Sequence, residues 1–256
     1  MKILYFTGTG NSLYVAKSFK GELLSIPQMM KEKRYEFSDD VVGLVFPCYM
    51  FDVPPIVKRF LRDAKIVSEY KFAVFTYGGD MMSAPHRMKK FLAKIGKPFD
   101  YIGSVDMADN YIPMFEQQDQ IDNLPKKDVD GNIKRIIDDV NNRISFVPEP
   151  KFKDLLLAAM MRPFKGMIMG EKFSRRFIVN GECNKCGTCA RVCPSGNVSV
   201  GTEVQFHDKC ESCLSCIQLC PKVAIHLKKE KSAARFKNSE VTLNEIIEAN
   251  EQSNEV

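Results

Sequence analysis

The chain has 256 residues, of which 45% are hydrophobic and 27% charged, with a formal net charge of +5. Globular composition of this kind excludes wholesale disorder, and the length suits one large domain or two smaller ones. The longest mainly apolar uncharged stretch, residues 41–51, holds a proline and is too short to span a membrane. Residues 1–5 run straight into a strand-like pattern without a basic, apolar leader, so export is disfavoured and a cytoplasmic, reducing setting is expected.

Residues 2–6 form a short β-prone run, and residues 11–20 follow with helical spacing through Val15, Ala16 and Phe19. Residues 41–46 are almost continuously apolar, the mark of a strand buried on both faces. Residues 54–63 read as a helix with Ile56, Val57, Phe60 and Leu61 on one face, and residues 71–76 as another strand. A helix is expected over 83–95, with Pro85 in its first turn and Gly96 at its stop. A weaker strand near 100–105 precedes a long helix in which Val129, Ile133, Ile136, Ile137, Val140 and Ile144 recur at helical spacing. This alternation predicts an α/β domain over residues 1–146, a doubly wound parallel sheet with helices on both faces.

Residues 147–179 differ. Pro148 and Pro150 break the pattern, and a Leu- and Met-rich stretch follows. Residues 151–176 hold seven Lys or Arg and two acids, so this segment carries the net +5 and the rest of the chain is formally neutral. The bland reading is a linker helix covering the two domains, its cations solvated. Peripheral contact with an anionic membrane surface, or docking of an acidic partner, is the alternative. Residues 229–256 read as a polar tail with one short helix, opened by the capping box Thr242-Leu243-Asn244-Glu245.

Eight of the nine cysteines lie in residues 180–228, in one pattern used twice. Cys183, Cys186, Cys189 and Cys193 precede Pro194; Cys210, Cys213, Cys216 and Cys220 precede Pro221. In a reducing compartment such clusters bind metals rather than form disulfides. A third cysteine two residues beyond each pair, then Cys-Pro, is not a zinc pattern. It matches two [4Fe–4S] clusters, each with four iron corners needing a soft ligand. Three close cysteines fit one cubane, and the fourth reaches the other. The first cluster is therefore expected on Cys183, Cys186, Cys189 and Cys220, and the second on Cys210, Cys213, Cys216 and Cys193. This stretch resembles a bacterial-type two-cluster ferredoxin, a small α+β domain. Two oxidised clusters would remove about four charges from the +5 count, which takes away the motive for a nucleic-acid partner.

Thr7-Gly8-Thr9-Gly10-Asn11-Ser12 lies between the first strand and the first helix, where an α/β sheet holds phosphate. It has no P-loop lysine, and Leu13 stands where the dinucleotide fingerprint needs its third glycine. Rich in hydroxyls and without a cation, it suits a phosphate monoester such as FMN. The loop resembles the phosphate loop of flavodoxins, departing from it by Ser12 in place of the common Thr. The resemblance implies that Pro47 and Tyr49 in one later loop, and Tyr77, Gly78 and Gly79 in the next, hold the flavin ring, Tyr49 being first choice for stacking. No Trp is present to do so. Residues 1–228 are similar to fusions of a flavodoxin-like domain with a two-cluster ferredoxin domain, known largely from anaerobes.

The expected function is electron relay between the clusters, FMN and a redox partner protein. One rival is a flavin-dependent reductase of a quinone or nitro compound, with His86, Tyr111 or Met114 near the substrate. The other is a ferredoxin with a flavin-free docking domain. Cys48 reads as a buried filler rather than a redox thiol, and His207 and His226 as packing residues rather than tuners of a cluster. No nicotinamide fingerprint is visible, and no catalytic residue is assigned.

Overall fold

The structure, a computed structural model, describes residues 1–161, 163, 166 and 169–252. Five parallel strands form its main sheet: β1 (Lys2–Tyr5), β2 (Glu22–Ser25), β3 (Val41–Pro47), β4 (Tyr70–Tyr77) and β5 (Tyr101–Asp106). Their order is β2-β1-β3-β4-β5, the arrangement of flavodoxin-like sheets. A minor parallel pair, Glu36–Ser38 with Lys65–Val67, lies beside it.

The strands are apolar on both faces because both faces are covered. Along β1, Ile3 and Tyr5 enter one core while Leu4 and the following Phe6 enter the other. The Leu4 side is closed by α2 (Ile26–Lys31), α3 (Pro55–Asp63) and α4 (Ala84–Lys94), through Met29, Phe60, Leu61, Met88 and Leu92. The Ile3 side is closed by α1 (Asn11–Ser18) and α6 (Val129–Asn141), through Leu13, Val15, Ile133, Ile136 and Val140. A short helix, α5 (Gln117–Asn123), follows β5.

The expected long helix stops at Asn141. Arg143 turns left-handed, with φ 52°, to pair with Asp40 and Glu69, and Ile144 is left exposed. Edge strand β2 and helix α2 carry no sequence signal strong enough to predict them. Glu22 and Leu23 face solvent, so only half of β2 is apolar and buried.

The cysteine-rich segment forms a smaller α+β unit. Strand β6 (Phe177–Val179) pairs antiparallel with β9 (Ile225–Leu227), and β7 (Val198–Val200) with β8 (Val204–Phe206). Two one-turn helices, α8 (Thr188–Arg191) and α9 (Ser215–Gln218), complete it. Its core joins Ile112, Phe173, Leu214, Ile217 and Leu227 to Cys189, Cys193 and Cys216.

Two segments depart from expectation. Helix α7 (Phe152–Met161) does not cover the domains: Ala158 is its one buried residue. The polar tail is not a tail. Its helix α10 (Leu243–Asn250) starts at the expected capping box, where the Thr242 hydroxyl accepts from Glu245 N at 3.2 Å and the Glu245 carboxylate accepts from Thr242 N at 2.7 Å. Ile246, Ile247 and Ala249 then sink into the core that holds Leu13 and Phe19. Ser25 donates to the Ala249 carbonyl, and Asn250 Nδ2 donates to Thr7 O at 3.0 Å. The described part of 229–256 therefore completes the first domain, which is discontinuous in sequence. Because Ile246 is fully buried, Ile246→Ala is expected to cost about 2–5 kcal/mol, read as a lower urea midpoint by far-UV circular dichroism.

Candidate functional site

The carboxyl ends of β1, β3, β4 and β5 open into one cleft, partly open to solvent. A crevice at the point where strand order reverses is where this sheet type takes ligands. Thr7, Gly8, Thr9, Asn11 and Ser12 line one end; Pro47, Tyr49, Tyr77, Gly78 and Gly79 line the other. Gly10 is the exception among the sequence-expected residues. It turns left-handed, with φ 101°, and faces the C-terminal segment, where a Cβ would lie 2.9 Å from Asn238. Ser12 and Thr76 hydroxyls bond at 2.8 Å, and Thr7 Oγ1 accepts from Gly10 N at 3.1 Å, so the loop's shape is fixed by its own side chains.

At the other end, Tyr49 and Asp52 exchange backbone bonds across Met50 and Phe51, both at positive φ (47° and 58°). Two such residues in sequence, neither glycine, store strain of about 1–3 kcal/mol each, a cost associated with functional loops. Tyr49 packs edge-on to Phe6 at 6.2 Å. Its buried hydroxyl has no hydrogen-bond partner among the described residues, and burial with nearby Cys213 and Glu211 holds its pKa well above the ordinary value. Gly78 is needed for packing: a Cβ there would overlap the Asp109 backbone. Asp109, Asn110, Phe115, Met161, Met169 and Ser212 also line the cleft. Asp109 and Asn110 belong to the stretch 109–114, which the sequence marks as lining the opening after the last strand; Phe115, Met161, Met169 and Ser212 it does not single out, and the last three come from beyond the α/β domain.

The cysteines fall into two groups. Cys183, Cys186, Cys189 and Cys220 line a second, small cavity. Burial pushes the Cys189 thiol up to about 11, and Cys220, Cys183 and Cys186 add to the shift. Burial likewise pushes Cys210 to about 11 and Cys213 to about 12, with Cys193 contributing to both; Cys216 is raised by burial and by Cys213, Cys193 and Cys210. So each Cys-Pro cysteine sits with the other motif's triplet. Several sulfurs already accept hydrogen bonds, Cys193 from Asn197 N (3.2 Å), Cys210 from Ser212 N (3.3 Å) and Cys220 from Ala224 N (3.3 Å), while the Ser215 hydroxyl oxygen lies 3.1 Å from the Cys213 sulfur. Donors aimed at sulfur favour thiolate, and buried, mutually repelling thiolates favour a cationic centre between them. Among the described residues no three His, Cys, Asp or Glu side chains converge on a single ion.

The second group shares a wall with the cleft. Ser215 Oγ donates to Gly8 O at 2.9 Å, and a Cβ on Gly8 would lie 3.0 Å from the Cys213 carbonyl. Asn110 Nδ2 reaches both Thr9 Oγ1 (3.2 Å) and Cys213 O (3.4 Å). Glu211, buried between two of the cysteines, accepts from Ile56 N at 3.1 Å at the start of α3 and pairs with Arg59; burial raises its pKa and Arg59 opposes the rise.

Residues 163–239 match the family model of the 4Fe-4S dicluster domain. The chain joins a flavodoxin-like sheet to a ferredoxin-like iron–sulfur segment. A search of solved structures finds a candidate flavoprotein from Bacteroides uniformis, with 12% identity and a TM-score of 0.33 over 41% of this chain and 88% of that one. It also finds the Trp repressor binding protein from Bacillus subtilis, with 9% identity and a TM-score of 0.28 over 41% and 82%. Likenesses this weak carry no argument, and the assignment of the sheet rests on strand order. No curated protein matches.

The lesser candidates separate. Tyr111 and Met114 line the cleft. His86 does not; its Nδ1 lies 3.8 Å from Glu149. His207 bonds Ser199 at 3.1 Å, and His226 bonds Glu230 at 2.8 Å and Asn180 at 3.1 Å. Burial pushes the Cys48 thiol up to about 12, so at mildly alkaline pH it remains a thiol, a poor nucleophile. Iodoacetamide should therefore leave Cys48 unlabelled in the folded protein and label it after unfolding, as read by peptide mass spectrometry.

Proposed function

We propose that the protein is an electron-transfer iron–sulfur flavoprotein with two [4Fe–4S] clusters and one FMN. The observation that carries this reading is the shared wall, where the Cys213–Ser215 turn lies directly on Gly8 of the candidate phosphate loop. When bound, the clusters exchange single electrons and FMN exchanges one or two.

Each part of the chain then has a task. Cys193, Cys210, Cys213 and Cys216 hold the cluster next to the flavin, and Cys183, Cys186, Cys189 and Cys220 hold the outer one. Thr7, Thr9, Asn11 and Ser12 present hydroxyl, amide and backbone donors to the phosphate at the start of α1. Tyr49 and Tyr77 flank the ring. Buried apolar walls keep water from the inner sulfurs. Cys186 is exposed, so the outer group is where a redox partner protein would exchange electrons.

A second reading, reduction of a bound small molecule, draws on the cleft's surplus apolar lining of Tyr111, Met114 and Phe115. Both readings are tested by iron, sulfide and flavin counts on anaerobically reconstituted protein. About eight irons and one FMN per chain are expected. Iron without flavin, even after FMN is added, would overturn the flavoprotein reading and leave the sheet as a docking module. In Cys186→Ala the outer cluster should be lost and flavin reduction by a low-potential iron–sulfur donor should fall at least tenfold. An unchanged rate would sink the relay.

A further inference from the structure

Twelve large hydrophobic side chains are exposed among the described residues. Five of them, Phe152, Leu155, Leu156, Leu157 and Met160, belong to α7. A surface helix ordinarily turns its apolar stripe inward. Helix α7 does the reverse. At about 3.6 residues per turn, Phe152, Leu155, Leu156, Ala159 and Met160 share one side, and all five are exposed. Ala158 lies on the opposite side and is buried, with Asp154 and Met161 half-covered beside it.

Charge and chemistry narrow what such a face meets. The segment 151–176 carries the chain's whole net positive charge. Lys151 and Lys153 are exposed at the start of α7, and Arg162 and Lys165 follow its end in sequence. A protein interface carries about one hydrogen bond per 100–200 Å2, yet among the described residues the outward side of α7 offers one polar head, that of Lys153. A lysine stem can lie along an apolar surface while its ammonium reaches the headgroups. Apolar area flanked by cations is what an anionic bilayer surface binds. Helix α7 has ten residues, and no helix among the described residues is long and apolar enough to cross a membrane.

We propose that α7 is an interfacial helix that docks the protein on an anionic lipid surface, lying in the membrane plane. Met161 at its end lines the cleft, so docking brings the cleft mouth to the lipid. The proposal is independent of which cofactors the chain binds.

The test is co-sedimentation of the full reconstituted protein with vesicles of equal parts phosphatidylcholine and phosphatidylglycerol, and with vesicles of phosphatidylcholine alone. Binding to the anionic vesicles, weakened by salt and much reduced on the neutral ones, is expected. Leu156→Glu/Met160→Glu should weaken it at least tenfold, and Lys151→Gln/Lys153→Gln roughly tenfold. These residues are exposed, so circular dichroism and iron content should stay unchanged in both variants. Failure of the wild type to bind anionic vesicles, or equal binding by the wild type and both variants, would overturn the proposal. So would a wild-type dimer that Leu156→Glu/Met160→Glu splits without any vesicle binding, since α7 would then be an interface between copies.

Discussion

One contact sets the geometry of everything else: a cysteine turn resting on a glycine. The Ser215 hydroxyl holds the Gly8 carbonyl, and the Cys213 carbonyl takes the space a side chain at Gly8 would need. Two loops with separate chemistry are thereby fixed at van der Waals distance. Other bonds keep them there. Glu211 ties the cysteine turn to the start of α3, Asn110 spans both loops, and Gln218 donates to Asn110 O and to Gln117. Glu211 is nearly inaccessible while Arg59 is half open to water, so the pair positions the turn more than it stabilises the fold.

The small domain cannot stand on hydrocarbon alone. Its core counts Cys189, Cys193 and Cys216 among a handful of apolar side chains, and burial makes ionising those thiols costly. Domains of this size commonly lean on metal ligation for stability. One of these core cysteines, Cys193, also receives a backbone donor at its sulfur, as do Cys210 and Cys220, which pack against the core.

Much of this was legible in the sequence, for reasons that differ by element. Apolar runs such as residues 41–46 announce strands buried on both faces, and the cysteine spacing anticipates the two groups into which the cysteines fall. The loop at residues 7–12 stands out by its hydroxyls and glycines, and all of it but Gly10 lines the cleft. Three things stayed hidden. Strand β2 is half exposed and too short for a period to emerge. The Met50–Phe51 turn adopts positive φ without the glycines that would have signalled it. The fate of apolar faces was hidden too. The Leu-rich stretch of α7 and the Ile246–Ile247 pair look alike as text, yet the first faces outward and the second is buried in the core that holds Leu13 and Phe19. Periodicity tells which side of a helix is apolar; what receives that side is a property of the whole chain.

The last helix gives the molecule an order of assembly. A Cβ on Gly10 would lie 2.9 Å from Asn238, the Asn238 backbone donates to the Thr9 carbonyl at 2.9 Å, and Asn250 donates to that of Thr7. A ribosome delivers residues 7–12 first and residues 238–250 long afterwards, with both cysteine motifs in between. During synthesis the nascent α/β domain lacks the strap across its loop at residues 7–12. The loop closes only once the cysteine-rich segment has already emerged, so vectorial synthesis schedules the completion of the first site after the birth of the second.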